Sequence, residues 1–194
     1  MLNYEQVDII NTIDSHLPDI FLKFIEDNFR EETLKKMNLN DSLTDYLIGS
    51  KSDIDTRMLD IIRDLSKLTG RPFLDMMLLF GEHIFPYLFR HYKKNFGYKG
   101  DSFRQFLVHL ESLVHKELRS IIPQGDLPKI AFKEIQPHSY SVTYQSPRKL
   151  CKVIEGVIVA ASKHFSKKGQ FSHTPCMLDN NSHCVISIAI ESEI

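Results

Sequence analysis

Residues 139–151 read Ser139-Tyr140-Ser141-Val142-Thr143-Tyr144-Gln145-Ser146-Pro147-Arg148-Lys149-Leu150-Cys151. Tyr144, Ser146 and Arg148 occupy alternate positions in this stretch. Alternate side chains of an extended segment project from one face, so the spacing predicts a phenol, a hydroxyl and a guanidinium side by side. A guanidinium fork with two neighbouring hydroxyls is suited to binding a carboxylate. The alternative interpretation is a polar strand face at the surface.

The size and charge of the chain exclude several classes of protein. Its 194 residues are enough for a large core in one domain or two tightly joined subdomains. Lys and Arg number 24 against 25 for Asp and Glu, and the pI is near 6.8, so nothing favours nucleic acid or anionic lipid as a partner. Because residues 1–6 do not resemble a secretory signal and no apolar run reaches membrane-spanning length, we expect a cytoplasmic protein without a membrane partner.

Apolar periodicity predicts helices first and an antiparallel sheet afterwards. The predicted helices span residues 9–37, with a break at Pro18, then 55–69, 72–92, 103–122 and 148–165. The predicted strands span residues 130–132, 140–144, 170–178 and 184–190, and residues 39–52 predict a loop. This order indicates an α+β fold, in which an N-terminal helical subdomain precedes a subdomain with an antiparallel sheet and helices.

His115 lies beside the apolar stripe of the helix predicted over residues 103–122. A histidine at the edge of such a stripe is often a satisfied core residue rather than a ligand, and the same interpretation holds for His91 and His109. Spacing alone does not choose among the three.

The spacing His115-x12-Pro128, followed by Tyr144-x-Ser146-x-Arg148, resembles the H-NOX (haem nitric oxide/oxygen binding) family. That family includes the sensor domains of soluble guanylate cyclases and of bacterial signalling proteins. The resemblance extends from residue 106 to residue 190 and is weaker before residue 34. It implies one H-NOX domain over residues 1–194, with subdomains over 1–70 and 71–194 and haem b held between them. Further matching stretches are Leu113-Val114-His115, Leu127-Pro128, Ile154-Glu155-Gly156 and His173-x2-Cys176-Met177.

The resemblance also implies a role for each residue of a haem site. His115 would be the axial ligand to the iron, and Pro128 would press on the macrocycle and distort it. Tyr144, Ser146 and Arg148 would bind the haem propionates. The chemistry agrees, because neutral imidazole is a common haem ligand and the propionates are paired carboxylates.

Val153 bears on the choice of gas. Oxygen-binding members of the family place a Tyr five residues after the signature Arg, and Val153 has that position here. Without a donor, bound O2 loses a hydrogen bond worth on the order of 1 kcal/mol, whereas the less polar NO needs none. We therefore expect NO binding at ferrous haem, with CO tolerated and O2 not expected. The resemblance implies that NO weakens or breaks the iron–His115 bond and lets the helix of residues 103–122 relax.

A second group of candidate ligands comprises Cys151, His173, Cys176 and Cys184. Three Cys, an odd number, argue against a secreted disulfide framework. Three thiolates and an imidazole form a tetrahedral set suited to Zn2+, and a subset of bacterial H-NOX proteins has the same set. The alternative is three buried free thiols. His183 competes as a ligand, but neighbouring residues of a strand point to opposite faces.

We expect a sensor rather than an enzyme, because no phosphate-binding loop, nucleophile elbow or catalytic carboxylate pair is evident in the sequence. The resemblance implies that it regulates a separate signalling protein, such as a histidine kinase of two-component signalling or a cyclic-di-GMP enzyme, a diguanylate cyclase or phosphodiesterase. Zinc thiolates can be oxidised, so a haem-free zinc/thiol redox-sensing adaptor is the main alternative. A haem storage or transport protein is another.

Overall fold

A computed structural model describes residues 17–36, 54–96, 102–118 and 126–191. Three predictions lie outside this part of the chain: the helical start at residue 9, the loop over residues 39–52 and the helix end at residue 122. The side chain of His91 also lies outside it.

In the described part of the chain, five helices precede the sheet. They are α1 (Leu17–Asn28), α2 (Glu31–Lys36), α3 (Ile54–Thr69), α4 (Phe73–Phe96) and α5 (Phe103–Leu118). Pro18 occupies the first turn of α1, where its missing N–H costs no helical hydrogen bond, and Asp19 follows it near the positive helix end. None of the helices within these residues has the length and apolarity to cross a membrane.

A four-stranded antiparallel sheet follows. Its strands are β1 (Lys129–Gln136), β2 (Ser139–Gln145), β3 (Gly169–His173) and β4 (Cys184–Ile190), in the spatial order β1-β2-β4-β3, and helix α6 (Cys151–His164) connects β2 to β3. Alternate residues of β2 and β4 are buried, and Val142 pairs with Ile186 on that buried face. This alternation is typical of a sheet with one face against a core. The α+β prediction is confirmed.

Helices α4 and α6 cross closely because each has a glycine at the crossing. A Cβ atom on Gly81 would lie 2.0 Å from the carbonyl oxygen of Val153, and one on Gly156 would lie 2.0 Å from that of Leu78. Any side chain at either position would therefore force the two backbones apart. The crossing fixes how far α6 stands from α4.

Several predicted element boundaries are wrong: α4 extends to Phe96 rather than to residue 92, β1 extends to Gln136 rather than to residue 132, and α1 and α2 are two helices where one was predicted after Pro18. Two further differences lie next to the candidate sites. Helix α6 begins at Cys151 rather than at Arg148, because the chain first turns: the Lys149 N–H donates to the Ser146 carbonyl, and Lys149 has φ 53°. Strand β3 ends at His173 rather than at residue 178. Pro175 has no N–H for a strand ladder, and a 3-10 helix over Met177–Asp179 follows it.

Candidate functional site

An apolar cavity lies among helices α1, α3, α4, α5 and α6 and the adjoining ends of β1 and β2. Its wall includes Ile20, Phe80, Leu88, Val114 and Val157, and almost none of the wall is polar. The space between the lining atoms, including the opening to solvent, is about 870 Å3. Only about 90 Å3 of it can hold the centre of a water molecule, so the cavity is narrow. Pockets for cofactors are mostly apolar, as this one is, but they typically measure about 300–1,000 Å3, so this narrow cavity would have to widen to hold a cofactor.

Three of the six predicted haem-site residues line this cavity. Pro128 enters it just before β1, Tyr144 near the end of β2, and Val153 from the first turn of α6. All three residues are buried. His115, Ser146 and Arg148 do not line it, although His115 directly follows the lining residue Val114.

The His115 ring is held at the edge of the cavity by the backbone next to it. Its Nε2–H donates a hydrogen bond to the Pro128 carbonyl oxygen at 2.6 Å. The carbonyl can only accept, so Nε2 has the proton. Glu111, one turn earlier on α5, has a carboxylate oxygen 3.9 Å from the same nitrogen and accepts a hydrogen bond from the Ile130 N–H at 3.1 Å. The start of β1 is thus attached to α5 at two points.

The phenol of Tyr144 is a neutral hydrogen-bonding group at the start of α6. Its oxygen accepts a hydrogen bond from the Leu150 N–H at 3.2 Å. Burial raises the pKa of Tyr144 to about 12, so the phenol remains protonated near neutral pH. The Ser146 hydroxyl in turn accepts from the Arg148 N–H at 3.3 Å. Both residues therefore shape the turn that leads into the helix.

Arg148 does not project from the strand as its spacing predicted, because β2 ends at Gln145 and residues 147–148 form a turn. Its guanidinium Nη2 lies 3.9 Å from an Asp126 carboxylate oxygen, two residues before Pro128. Burial lowers the pKa of Arg148, yet a guanidinium stays charged in proteins. The structure therefore places a half-buried cation near the segment that leads to Pro128.

A second group of side chains converges at the other face of α6. The three Sγ atoms of Cys151, Cys176 and Cys184 and one ring nitrogen of His173 lie within 4.8 Å of one another. Cys176 Sγ is 3.8 Å from each of the other two sulfurs, and all three thiols are free and buried. A tetrahedral zinc site with Zn–S bonds of about 2.3 Å has sulfurs about 3.8 Å apart. His183 is not part of the group; its Nδ1 hydrogen-bonds with the Ser182 hydroxyl.

The environment of these thiols favours neutral groups unless a cation is bound. Burial raises the pKa of Cys151, and burial also raises the pKa of Cys184, whose sulfur accepts the Met177 N–H at 3.1 Å. A divalent cation reverses this preference by taking thiolates as ligands.

The carboxylate of Glu155 is hydrogen-bonded to the imidazole of this group. Its Oε2 lies 2.6 Å from His173 Nδ1 and 2.7 Å from Lys152 Nζ. Burial favours the neutral acid, but the hydrogen bonds from His173 and Lys152 outweigh it and hold the pKa of Glu155 below its usual value. The carboxylate therefore accepts a hydrogen bond from Nδ1–H, which leaves Nε2 of a neutral His173 ring with its lone pair.

A sequence profile of the haem-NO-binding family matches residues 16–173. The chain belongs to this family. Its members have the fold of haem-based gas sensors, and the cavity of this haem-NO-binding domain lies within the matched residues. Comparison with curated protein sequences gave no match.

Solved H-NOX structures have the same fold as this haem-NO-binding domain. The H-NOX protein of S. oneidensis in its Fe(II)NO state has 23% identity and a TM-score of 0.66, with 89% of this chain and 98% of that chain covered. The Fe(II) unliganded H-NOX protein of K. algicida has 20% identity and a TM-score of 0.64, over 91% and 97% of the two chains. A mutant of T. tengcongensis H-NOX has 15% identity and a TM-score of 0.66, over 90% and 95%.

The sequence analysis gave no role to two carboxylates of this haem-NO-binding domain that lie next to candidate ligands. Glu111 precedes His115 by four residues, and Glu155 follows Cys151 by four, so each shares a helix face with a candidate ligand. That spacing was visible in the sequence. The partner of Glu155 was not, because His173 lies on a strand 18 residues away.

Proposed function

We propose that this domain is a gas sensor that binds nitric oxide at ferrous haem b in the apolar cavity. The cavity itself supports this proposal, because its wall combines Pro128, Tyr144 and Val153 with Val114, the residue before His115. Bound ferrous haem would supply the iron at which NO or CO coordinates. The wall is almost wholly apolar, its hydroxyls are those of Tyr87 and Tyr144, and Val153 adds no donor at the position where oxygen-binding relatives have a tyrosine. This favours NO and CO over O2.

We propose His115 as the iron ligand. To bind iron, its ring would have to give up the hydrogen bond to the Pro128 carbonyl oxygen. Its Nε2 now donates to the Pro128 carbonyl, whereas an iron ligand needs the lone pair of that nitrogen. Rotation of the ring and a shift of the proton to Nδ1 would free it. An imidazole released from the cofactor would find the same carbonyl within reach, so His115 has an acceptor in either state.

Visible spectroscopy of the reconstituted protein tests the proposal. We expect a Soret band that shifts on addition of NO, and a loss of that response in His115→Gly. His109→Gly is the matched control, since His109 lies on the same helix and bonds to the Gln105 carbonyl outside the cavity wall. Protein that binds no haem, or a His115→Gly variant that responds as the wild type does, would contradict the proposal.

Tyr144, Ser146 and Arg148 are the residues that we propose for the haem propionates. The support is chemical: a half-buried guanidinium already faces one carboxylate, that of Asp126, and the buried residues Ser146 and Tyr144, two and four positions earlier, provide hydroxyls. We expect Arg148→Ala to lose haem more rapidly to an apoprotein acceptor, and Lys149→Ala, its exposed neighbour, to match the wild type. Equal loss rates in the two variants would argue against this assignment.

We also propose that Cys151, His173, Cys176 and Cys184 bind Zn2+, as in the zinc-containing subset of H-NOX proteins. The sulfur spacing supports this, because it already equals that of a tetrahedral zinc site. Elemental analysis should give one zinc per chain in the wild type and none in Cys184→Ser. A colourless protein that releases Zn2+ on peroxide treatment would instead favour the haem-free redox adaptor.

The output, we propose, is regulation of a separate signalling protein, either a histidine kinase or a cyclic-di-GMP enzyme. Candidate partners should change activity when the NO-loaded domain replaces the NO-free domain. Haem transfer to an acceptor with no NO-dependent change in partner activity would favour haem storage or transport.

A further inference from the structure

We propose that Glu155 is the positioning residue of the zinc centre, holding the His173 ring so that Nε2 faces the three cysteine sulfurs. This rests on the proposed binding of Zn2+ at Cys151, His173, Cys176 and Cys184. Glu155 is not a ligand in this proposal. It acts on the metal through the imidazole.

The hydrogen bond between the two side chains fixes which nitrogen can bind a metal. Oε2 of Glu155 lies 2.6 Å from Nδ1 of His173, and an ionised carboxylate only accepts hydrogen bonds. In a neutral imidazole Nδ1 therefore has the proton, and Nε2 is the nitrogen with a free lone pair. The contact selects the tautomer that a metal needs.

The other nitrogen of the ring is buried without a partner. Nε2 of His173 has no hydrogen bond to any residue in the described part of the chain, and the His173 side chain is only 5% exposed. Buried polar atoms are nearly always satisfied. One ring nitrogen of His173 and the three sulfurs lie within 4.8 Å of one another, and because Nδ1 is bonded to Glu155, we infer that Nε2 is the nitrogen that a cation would share with the sulfurs.

Lys152 holds the carboxylate in turn. Its Nζ lies 2.7 Å from the same Oε2 atom, and the Glu155 side chain is 13% exposed. Lys152 and Glu155 are three residues apart on α6, and Cys151, a proposed ligand, is four residues before Glu155 on that helix. One rigid element thus provides both a ligand and the group that orients another ligand from β3. Carboxylate partners of metal-binding histidines fix the ring and increase its basicity, and their loss typically lowers metal affinity about 10–100-fold.

The test is a zinc competition titration of the full chain against a chromogenic chelator. We expect Glu155→Ala to bind Zn2+ about 10–100-fold more weakly than the wild type, and Glu155→Gln to recover part of the loss because its amide oxygen can still accept from Nδ1. Glu82→Ala is the control. Glu82 bridges from α4 to Lys163 on α6, so its loss disturbs the same helix away from the ligands.

A double-mutant comparison separates positioning from a structural effect. In a His173→Ala background, Glu155→Ala should cost no further zinc affinity, because the ring on which it acts is gone. The absorption bands of the Co2+-substituted protein should also shift in Glu155→Ala and not in Glu82→Ala.

The outcomes distinguish this proposal from the one on which it rests. A wild-type chain that binds no Zn2+ overturns the zinc site and this proposal with it. A wild-type chain that binds Zn2+, with Glu155→Ala binding it equally well or losing the same affinity in the His173→Ala background, overturns the positioning role alone.

Discussion

Tyr144 and Cys184 stand directly opposite each other on the neighbouring antiparallel strands β2 and β4. Tyr144 lines the apolar cavity, and Cys184 belongs to the thiol and imidazole group. The start of α6 also contacts both sites, because Leu150 lines the cavity and the next residue, Cys151, belongs to the thiol and imidazole group. The two candidate sites therefore share one wall.

The shared wall predicts that metal removal disturbs both stability and the cavity. A ligand at about a thousand times its Kd stabilises by about 4 kcal/mol, which is roughly 10 °C in Tm for a chain of this size. We expect chelation to lower Tm by that order and to shift the Soret band of the haem-loaded protein. Cys184→Ser should no longer respond to the chelator. An unchanged Tm and spectrum after verified zinc loss would contradict a shared wall.

The contact between His115 and Pro128 predicts the tautomer of the haem-free protein. Because the carbonyl accepts from Nε2, the ring should have its proton on Nε2 before haem is added and on Nδ1 afterwards. Nitrogen-15 NMR of the imidazole distinguishes the two forms. A ring that is already protonated at Nδ1 without haem would show that this contact is not formed in solution.

The lack of a hydroxyl on Val153 predicts which gases the haem-loaded cavity binds. Val153→Tyr would add a phenol at the start of α6, and one added hydrogen bond of about 1 kcal/mol should slow O2 dissociation roughly fivefold or more. Val153→Phe adds the ring without the hydroxyl and is the matched control. Stopped-flow measurement of O2 release from the ferrous protein compares them. If both variants release O2 at the same rate, the missing donor does not determine selectivity.

The close crossing of α4 and α6 predicts that Gly81→Ala destabilises the fold, although alanine is the better helix former. Overpacking costs about 1–3 kcal/mol, against a gain of about 1 kcal/mol in helix propensity. The clashing atom would be the carbonyl oxygen of Val153, and Val153 lines the cavity, so displacing this backbone should weaken haem binding as well. Gly70→Ala meets no atom within 4 Å and should cost stability only through its φ of 70°. Urea denaturation and haem titration of both variants provide the comparison.

The burial of His83 predicts part of the pH dependence of the free energy of unfolding. Burial lowers the pKa of His83 from 6.5, with Asp27 opposing and Lys23 reinforcing the shift, and the ring packs on Phe24 and Tyr87. The unfolded chain therefore takes up a proton near pH 6.5 that the folded chain takes up only at lower pH. The free energy of unfolding should fall as pH drops below about 6.5, by at most about 1.4 kcal/mol per unit from this group.

The matching experiment compares wild type with His83→Phe, which keeps an aromatic ring at the position. Urea denaturation at about pH 7.5 and about pH 5.5 should give a smaller difference in the variant, because it lacks the titrating group. Equal differences in the two proteins would assign the pH dependence to other groups.

The sequence by itself determined the order of elements and the identity of the chemical groups. Periodicity gave helices before strands because the buried stripe of a helix and the buried face of a strand repeat at different intervals. The Cys and His residues of the second group were singled out as candidates from their type, their spacing and the family resemblance, since few side chains bind zinc. The signature around Tyr144 was found from its spacing and its resemblance to a family.

Only the tertiary structure decided how these groups meet. The turn at residues 146–149 removes Arg148 from the strand face, because backbone hydrogen bonds of the turn replace those of the ladder. The partners of His115 and His173 are a carbonyl and a carboxylate on other segments, 13 and 18 residues away. Sequence spacing sets which residues share a helix or strand face, but contacts between elements depend on how those faces pack. The glycines Gly81 and Gly156 let α6 pack closely on α4, and α6 in turn provides Val153 to the cavity and Cys151 and Glu155 to the group around His173.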